Sequence, residues 1–488
     1  MKDRMNKTAT LTIAFVALVA LFPLLLPQWY LFDSEGHAMF FHTQDKDYLE
    51  DIVLHGWHVM YGLFLAINEL WVATGIAPQM FFNALGVISV LGISREAYVY
   101  LRERFDFSES SAMIGALGVL VFPVWHVLMS AVFTSHALCI WLFMIAVNQW
   151  RKRPLLALPL FLVSLNLFSL FALAVGVAGV EFLMTVRRET FARQAVRTVA
   201  FCAVLVALYL VATSFISVHG HSGDYNTFNT DRIVSFVNFG LMACGMLGAW
   251  YFLFGRAGDK ARSERMLRLV LAFLSLSFFA GLAYWAVGRP MRFLAFGSFT
   301  GRHAMLTVIP FALLLAMGAE CLRTRWGATM MRYAMGVVLA VSVVVLYQGY
   351  DHKAAALLFK DMLVHSLRQV ETPPSGYVSI AESGYKAPRH VHHFSINMCF
   401  FRAYGRGEWM ANGFWARRGH VYSHEDLVKI YDGPQRSKKL SLAFEATGDA
   451  FTRYDFVLDN YHQEGRPWYW YNYLFNDYAS FNPRLVRQ

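Results

Sequence analysis

Two carboxylates, Asp33 and Glu35, stand in the stretch "WYLFDSEGHAMFFH", where the first long apolar run of the chain ends. Trp29, Tyr30, Phe32, Phe40 and Phe41 surround them in sequence. Apolar surroundings raise a carboxyl's pKa toward the range in which it accepts a proton, so either acid could serve as a general base. With Ser34 between them, one can face a substrate while the other holds the loop.

A second set lies far along the chain in "GRPMRFLAFGSFTGRH", where Arg289, Arg292 and Arg302 precede an apolar run that opens with His303. Guanidinium groups bind phosphate through forked hydrogen bonds and stabilise a phosphate leaving group as its charge develops. Any one of these arginines alone is better explained by headgroup binding or snorkelling. A third set, His37, His55, His58 and Glu69, follows the acidic stretch. At helical spacing Asp51, His55, His58, Gly62, Ala66 and Glu69 form one polar or small stripe, expected to line a water-filled cavity. Histidines at that spacing could ligate a metal, but no HExxH motif occurs and no cofactor is expected, a divalent metal being left open.

The elements that must position these groups are membrane helices. The chain is 57% hydrophobic and 16% charged over 488 residues, outside the range of soluble globular proteins. Its net charge of +10 resides in short tracts between apolar runs, the pattern of topology signals, which excludes nucleic acid as a partner. Of the five cysteines only Cys399 falls outside apolar runs, so neither a disulfide framework nor a CxxC site is indicated.

Spanning runs are predicted near residues 10–31, 78–100, 111–128, 134–150, 197–217, 233–254, 268–287, 303–322 and 332–350. The apolar stretch between Arg151–Arg153 and Arg187–Arg188 is basic at both ends and must go out and come back as two short helices, for about eleven spans in all. The first run is read as an uncleaved transmembrane helix. The basic tracts then all fall on one side, cytoplasmic with the N-terminus, and the acidic stretch and the arginine loop fall on the other. Counting 48–75 as a span would invert the next basic loop, so it is read as an interfacial amphipathic helix. The organisation expected is a transmembrane module over 1–350, with the acidic loop and interfacial helices at about 32–77, followed by a mixed α/β domain over 351–488.

The acidic motif "FDSEG", the interfacial "LHGWHVMYGLFLAINELW" and the late "GRHAMLTVIPFALLLAMGAE" together resemble the GT-C superfamily of membrane glycosyltransferases. In size and layout the chain is similar to bacterial serotype-converting O-antigen glucosyltransferases. The resemblance implies a multi-pass enzyme of the bacterial inner membrane with a periplasmic C-terminal domain. It implies transfer of a sugar from undecaprenyl-phosphate-sugar to a glycan or lipid-linked acceptor, O-antigen or another surface glycan, among membrane lipids. By analogy Asp33 or Glu35 is the base, and Arg302, with Arg289, Arg292 and His303, holds the donor phosphate. His303 stands where the superfamily commonly has an aromatic. The rival class is a transporter or flippase, which would place functional charges near the midplane rather than at one face.

Overall fold

A computed structural model of the chain describes residues 7–26, 40–41, 44, 46–49, 52, 57–186, 188–214, 231–255, 260–286, 289, 299–370, 377–383, 393–404, 411–413, 451–459, 461, 469–475 and 477–487. The helices are α1 (Lys7–Leu25), α2 (His58–Thr74), α3 (Pro78–Phe105), α4 (Glu109–Leu120), α5 (Val132–Gln149), α6 (Pro154–Ser164), α7 (Ser169–Thr185), α8 (Phe191–Ser214), α9 (Asp231–Trp250), α10 (Lys260–Ala286) and α11 (Val308–Arg368). Tight 3₁₀ stretches at Pro123–Met129 and Phe299–Thr307 precede α5 and α11. After α11 come β1 (Tyr377–Ser383), α12 (His393–Tyr404), β2 (Ala411–Gly413), β3 (Phe451–Val457), α13 (Tyr469–Phe475) and β4 (Arg484–Arg487).

Among the described residues seven helices are long and apolar enough to cross a bilayer, and three shorter ones are apolar too. The chain is a polytopic helical membrane protein. Local chemistry sets many of the ends. Pro78 and Pro154 open α3 and α6, where a missing N–H costs nothing. Ser108 caps α4 by accepting from the Ser111 N–H at 3.3 Å. Gly75, at φ 72°, ends α2 and donates to the Trp71 carbonyl. Gly327, at φ 86°, interrupts α11 between the runs expected over 303–322 and 332–350. The stretch between the basic tracts folds as the helix pair α6 and α7. At 11 residues α6 is about 16 Å long, half the hydrocarbon thickness.

Four basic tracts meet at one end of the bundle. Lys152 reaches Glu103 at 2.6 Å, joining the end of α3 to the turn after α5. Glu181 of α7 is shared by Arg104, at 2.9 Å, and Arg151. Arg265 donates to the Asp106 carbonyl at 2.8 Å, and Arg262 to the Thr324 hydroxyl at 2.7 Å. Glu320 accepts from Ser108, Ser111 and Arg323 at 2.8, 2.7 and 2.6 Å, tying α4 to the first half of α11. These carboxylates neutralise and hydrogen-bond cations that topology concentrates at this face.

Helix α2 turns Met60, Phe64, Ile67 and Asn68 inward and leaves Gly62, Ala66 and Glu69 of the polar stripe exposed. The aromatic contacts hold that face: Phe64 stacks on Phe41 at 5.4 Å and meets Phe82 at 5.0 Å. Asn68 and Gln44 exchange side-chain hydrogen bonds of 3.0 Å, and Gln44 also donates to the Phe41 carbonyl. One element differs from expectation: α11 passes Tyr350 unbroken and ends at Arg368, with Lys353, Phe359 and Lys360 buried.

The strands form one sheet of order β2-β1-β3-β4, with β1 parallel to β2 and β3, and β4 antiparallel to β3. The β-rich stretches "GYVSIAES" and "YDFVLDNY" coincide with or overlap β1 and β3, and with α12 and α13 they give the mixed α and β content expected after residue 350. The sheet rests on the last turns of α11. Phe456 of β3 meets Phe359 edge-on at 5.2 Å, the Tyr461 hydroxyl donates to the Ala355 carbonyl at 3.0 Å, and Tyr404 donates to the Leu367 carbonyl at 2.6 Å.

Asp459 holds the edge strand by accepting from both Arg484 guanidinium nitrogens, at 3.1 and 3.3 Å, and from Asn482 at 3.0 Å. Arg484 first, then Asn482, holds its carboxyl below the usual range. A lowered carboxylate value contributes stability that is present above the unfolded pKa and lost as pH falls through the folded one. Acidification through that window is therefore expected to raise amide exchange in Arg484–Arg487 before that of α11; equal protection of β4 at both pH values would contradict the tie.

Candidate functional site

At the end of the bundle opposite the basic tracts, several polar and aromatic groups converge on the residues just before α11. The 3₁₀ stretch Phe299–Thr307 carries Arg302 and His303, and the Thr307 hydroxyl donates to the Ala304 carbonyl at 2.6 Å to close its last turn. Arg302 donates through Nε to His303 Nε2 at 3.4 Å. An arginine has no acceptor, so in this contact His303 Nε2 accepts. The Arg302 guanidinium lies over the Phe133 ring at 5.9 Å, a cation–π contact, and Phe133 in turn meets His136 of α5 edge-on at 5.5 Å.

Tyr284, near the end of α10, stacks on the buried His303 ring with centroids 4.8 Å apart and planes 31° from parallel. Its hydroxyl shares a 3.1 Å hydrogen bond with Ser169, the first residue of α7. Its carbonyl accepts from the Arg289 N–H at 2.9 Å. The turn between α6 and α7 makes a second tie, since Asn166 accepts from the Val59 N–H at 3.0 Å and so caps α2. Two helices that carry no expected site residue, α7 and α10, thus hold the histidine that orients the arginine.

His126 extends the cluster. Its Nδ1 bonds the Pro123 carbonyl at 2.8 Å, and the ring is fully buried. A Cβ built on Gly349 would lie 2.6 Å from His126 Cγ and Nδ1, so only glycine fits there. A Cβ on Gly301 would meet His126 Nε2 at 3.7 Å, placing this ring beside the residue that precedes Arg302. Lys353, one helical turn beyond Gly349 and 1% exposed, interacts electrostatically with His126.

Of the groups singled out in the sequence, Arg302 and His303 come together here, and Arg289 is linked to them through the backbone of Tyr284. His58 opens α2 and is half-buried, and Glu69 is exposed on that helix's outer face. Asp33, Glu35, His37, His55 and Arg292 lie outside the described residues. The nearest described anchors of the acidic stretch are Phe40, Phe41 and Gln44, which dock on α2 and α3. Ser169, Tyr284, Phe133, His136 and His126 were not anticipated. Each is a polar or aromatic residue close to the end of an apolar run, and that position was the signal available.

Comparison of the chain with protein-family models and with curated proteins finds no match. What the fold and the cluster define is a class: a polytopic helical membrane protein with a cationic, aromatic-lined site at the end of the bundle remote from its basic tracts.

Proposed function

We propose that this chain is a GT-C-like membrane glycosyltransferase that moves a sugar from undecaprenyl-phosphate-sugar to a hydroxyl of a periplasmic acceptor, O-antigen or another surface glycan. The observation that carries this reading is the placement of Arg302: part-buried, backed by an aromatic ring and donating to His303, at the face the positive-inside rule makes external. The supporting frame is the seven long and three shorter apolar helices, with α11 divided at Gly327. Read with the positive-inside rule, the proposal has the N-terminus in the cytoplasm and the sheet in the periplasm of a bacterial inner membrane.

In the reaction proposed, the acceptor oxygen attacks the anomeric carbon and gives its proton to Asp33 or Glu35. The bond from that carbon to the phosphate oxygen breaks, and undecaprenyl phosphate leaves with its added negative charge held by Arg302, assisted by Arg289 and Arg292. Asp33→Asn or Glu35→Gln is expected to abolish transfer without affecting membrane insertion. The deciding measurement is mass spectrometry of surface glycans from cells with and without the protein. A mass difference of one sugar unit that disappears in the variants supports the reading. Unchanged glycans together with solute uptake into proteoliposomes would replace it with a transporter.

A further inference from the structure

We propose that Tyr100, Arg104, Arg151 and Glu181, at the end of the bundle where the basic tracts meet, form a binding site for a phosphate group, supplied by an anionic lipid headgroup or by free phosphate. The site lies at the opposite end from Arg302 and does not depend on the reaction proposed above.

Tyr100 and Arg104 stand one turn apart on α3, Glu181 lies near the end of α7, and Arg151 sits in the turn after α5. Both guanidinium groups share the one carboxylate, so positive charge is in excess at a place largely removed from water. The Arg104 side chain is only 10% exposed and Tyr100 is buried. Although Arg104 Nε lies 2.9 Å from Glu181 Oε1, the N–H is not aimed at that oxygen, and neither atom makes a hydrogen bond. Arg104 Nη2 and the Tyr100 hydroxyl are also buried with no partner among the described residues. The Tyr100 ring is held edge-on to Phe105 at 5.4 Å and feels the charges of Glu181, Arg104 and Arg151. Buried donors left unmet are costly, and a phosphate supplies what they lack: negative charge and several acceptor oxygens that a guanidinium fork can grip. Glu181 keeps the two arginines together while the site is empty. Arg151, with 42% of its side chain exposed, is the most accessible of the charged groups and the one that can swing aside to admit a ligand. Leu155 and Leu156 follow at the start of α6, and Phe191 opens α8 in edge contact with Phe182; all three are exposed apolar side chains suited to acyl chains, which favours a headgroup as the source.

The test uses the full-length protein, delipidated in an uncharged detergent, and follows thermal stabilisation as a function of probe concentration. The probes are dioctanoyl phosphatidylglycerol, dioctanoylglycerol, which lacks the phosphate, and inorganic phosphate. Stabilisation by the first but not the second supports the site with a headgroup as the source; stabilisation by inorganic phosphate supports it with free phosphate as the source. Tyr100→Phe removes only the hydroxyl and should weaken binding of the phosphate probe about tenfold, the scale of one hydrogen bond to a charged group. Without probe its unfolding temperature should not fall, because that hydroxyl makes no hydrogen bond in the empty protein. Arg104→Lys keeps the charge but loses the fork and should weaken binding at least as much. Lys152→Ala removes an exposed cation paired with Glu103 at the same end and should leave the affinity within about twofold. Should Arg104→Lys fail to fold, Tyr100→Phe decides alone. The proposal is overturned if no phosphate probe binds, if dioctanoylglycerol stabilises as well as the phosphatidylglycerol, or if Tyr100→Phe binds like the unaltered protein. A lower unfolding temperature of Tyr100→Phe without probe, or a loss in Lys152→Ala as large as in Arg104→Lys, overturns it equally.

Discussion

Replacing Arg302 by alanine is expected to lower sugar transfer from a polyprenyl-phosphate donor by about two orders of magnitude or more, the usual cost of losing a donor aimed at developing negative charge. The loss should appear without loss of inserted protein. The start of α11 is held by buried Ala304, Met305, Leu306 and Val308 and by the Thr307–Ala304 hydrogen bond, none of which involves the guanidinium. Among the described contacts, the substitution removes the cation over Phe133 and the donor to His303. Arg302→Lys should recover part of the rate, because a lysine supplies charge but not the planar fork. Initial rates in proteoliposomes, normalised to inserted protein, would measure this; a rate within about twofold of the unaltered enzyme would remove Arg302 from the site.

The largest structural effect is expected at Gly115. A Cβ there would lie 2.7 Å from the Ala312 carbonyl oxygen and 3.3 Å from Ala316 Cβ. Leu101, also in the way at 2.5 Å, can move its side chain, whereas the carbonyl belongs to the backbone of α11. Small residues on both helices, Ala112, Gly115 and Ala116 on α4 facing Ala312 and Ala316 on α11, let the backbones approach as membrane helices do when packing replaces the hydrophobic effect. Gly115→Ala should therefore cost about 1–3 kcal/mol through overpacking. Gly62 is the matched control: it is exposed within α2 and nothing lies within 4 Å of its added Cβ. Gly62→Ala should stabilise by about 0.5–1 kcal/mol through helix propensity. Thermal unfolding of both variants in one detergent would compare them, and the prediction fails if Gly115→Ala is no less stable than Gly62→Ala.

The bundle was largely legible because charge and hydropathy act over long windows. Arg151–Arg153 and Arg187–Arg188 bracketed one apolar run and thereby implied the α6–α7 pair, while Arg323–Arg332 implied the break that Gly327 makes. The polar stripe of α2 set Phe64 apart from Gly62, Ala66 and Glu69, but the partners that cover Phe64, Phe41 and Phe82, are distant in sequence and were not legible. The continuation of α11 was missed because Asp351, Lys353, Lys360 and Asp361 end the apolar run without ending the helix, and helix formers such as Ala354, Ala355, Ala356 and Leu357 carry it on. Arg302 stood out as a cation on the disfavoured side. Tyr284 and Ser169 did not, because a hydropathy average over an apolar run hides one hydroxyl, and their meeting depends on α7 packing against α10.

From the break at Gly327 to Arg368, α11 runs for about 62 Å, roughly twice the hydrocarbon thickness of a bilayer. One end of such a rod fits in the membrane, and the other must stand clear of it or lean along its surface. The part beyond Tyr350 has a reach of about 27 Å, and along it Ala355, Phe359 and Leu367 receive Tyr461, Phe456 and Tyr404. The distance from the break at Gly327 to the sheet is therefore set by a count of residues, and inserting or deleting one turn after Tyr350 would move the sheet by about 5.4 Å along the helix axis.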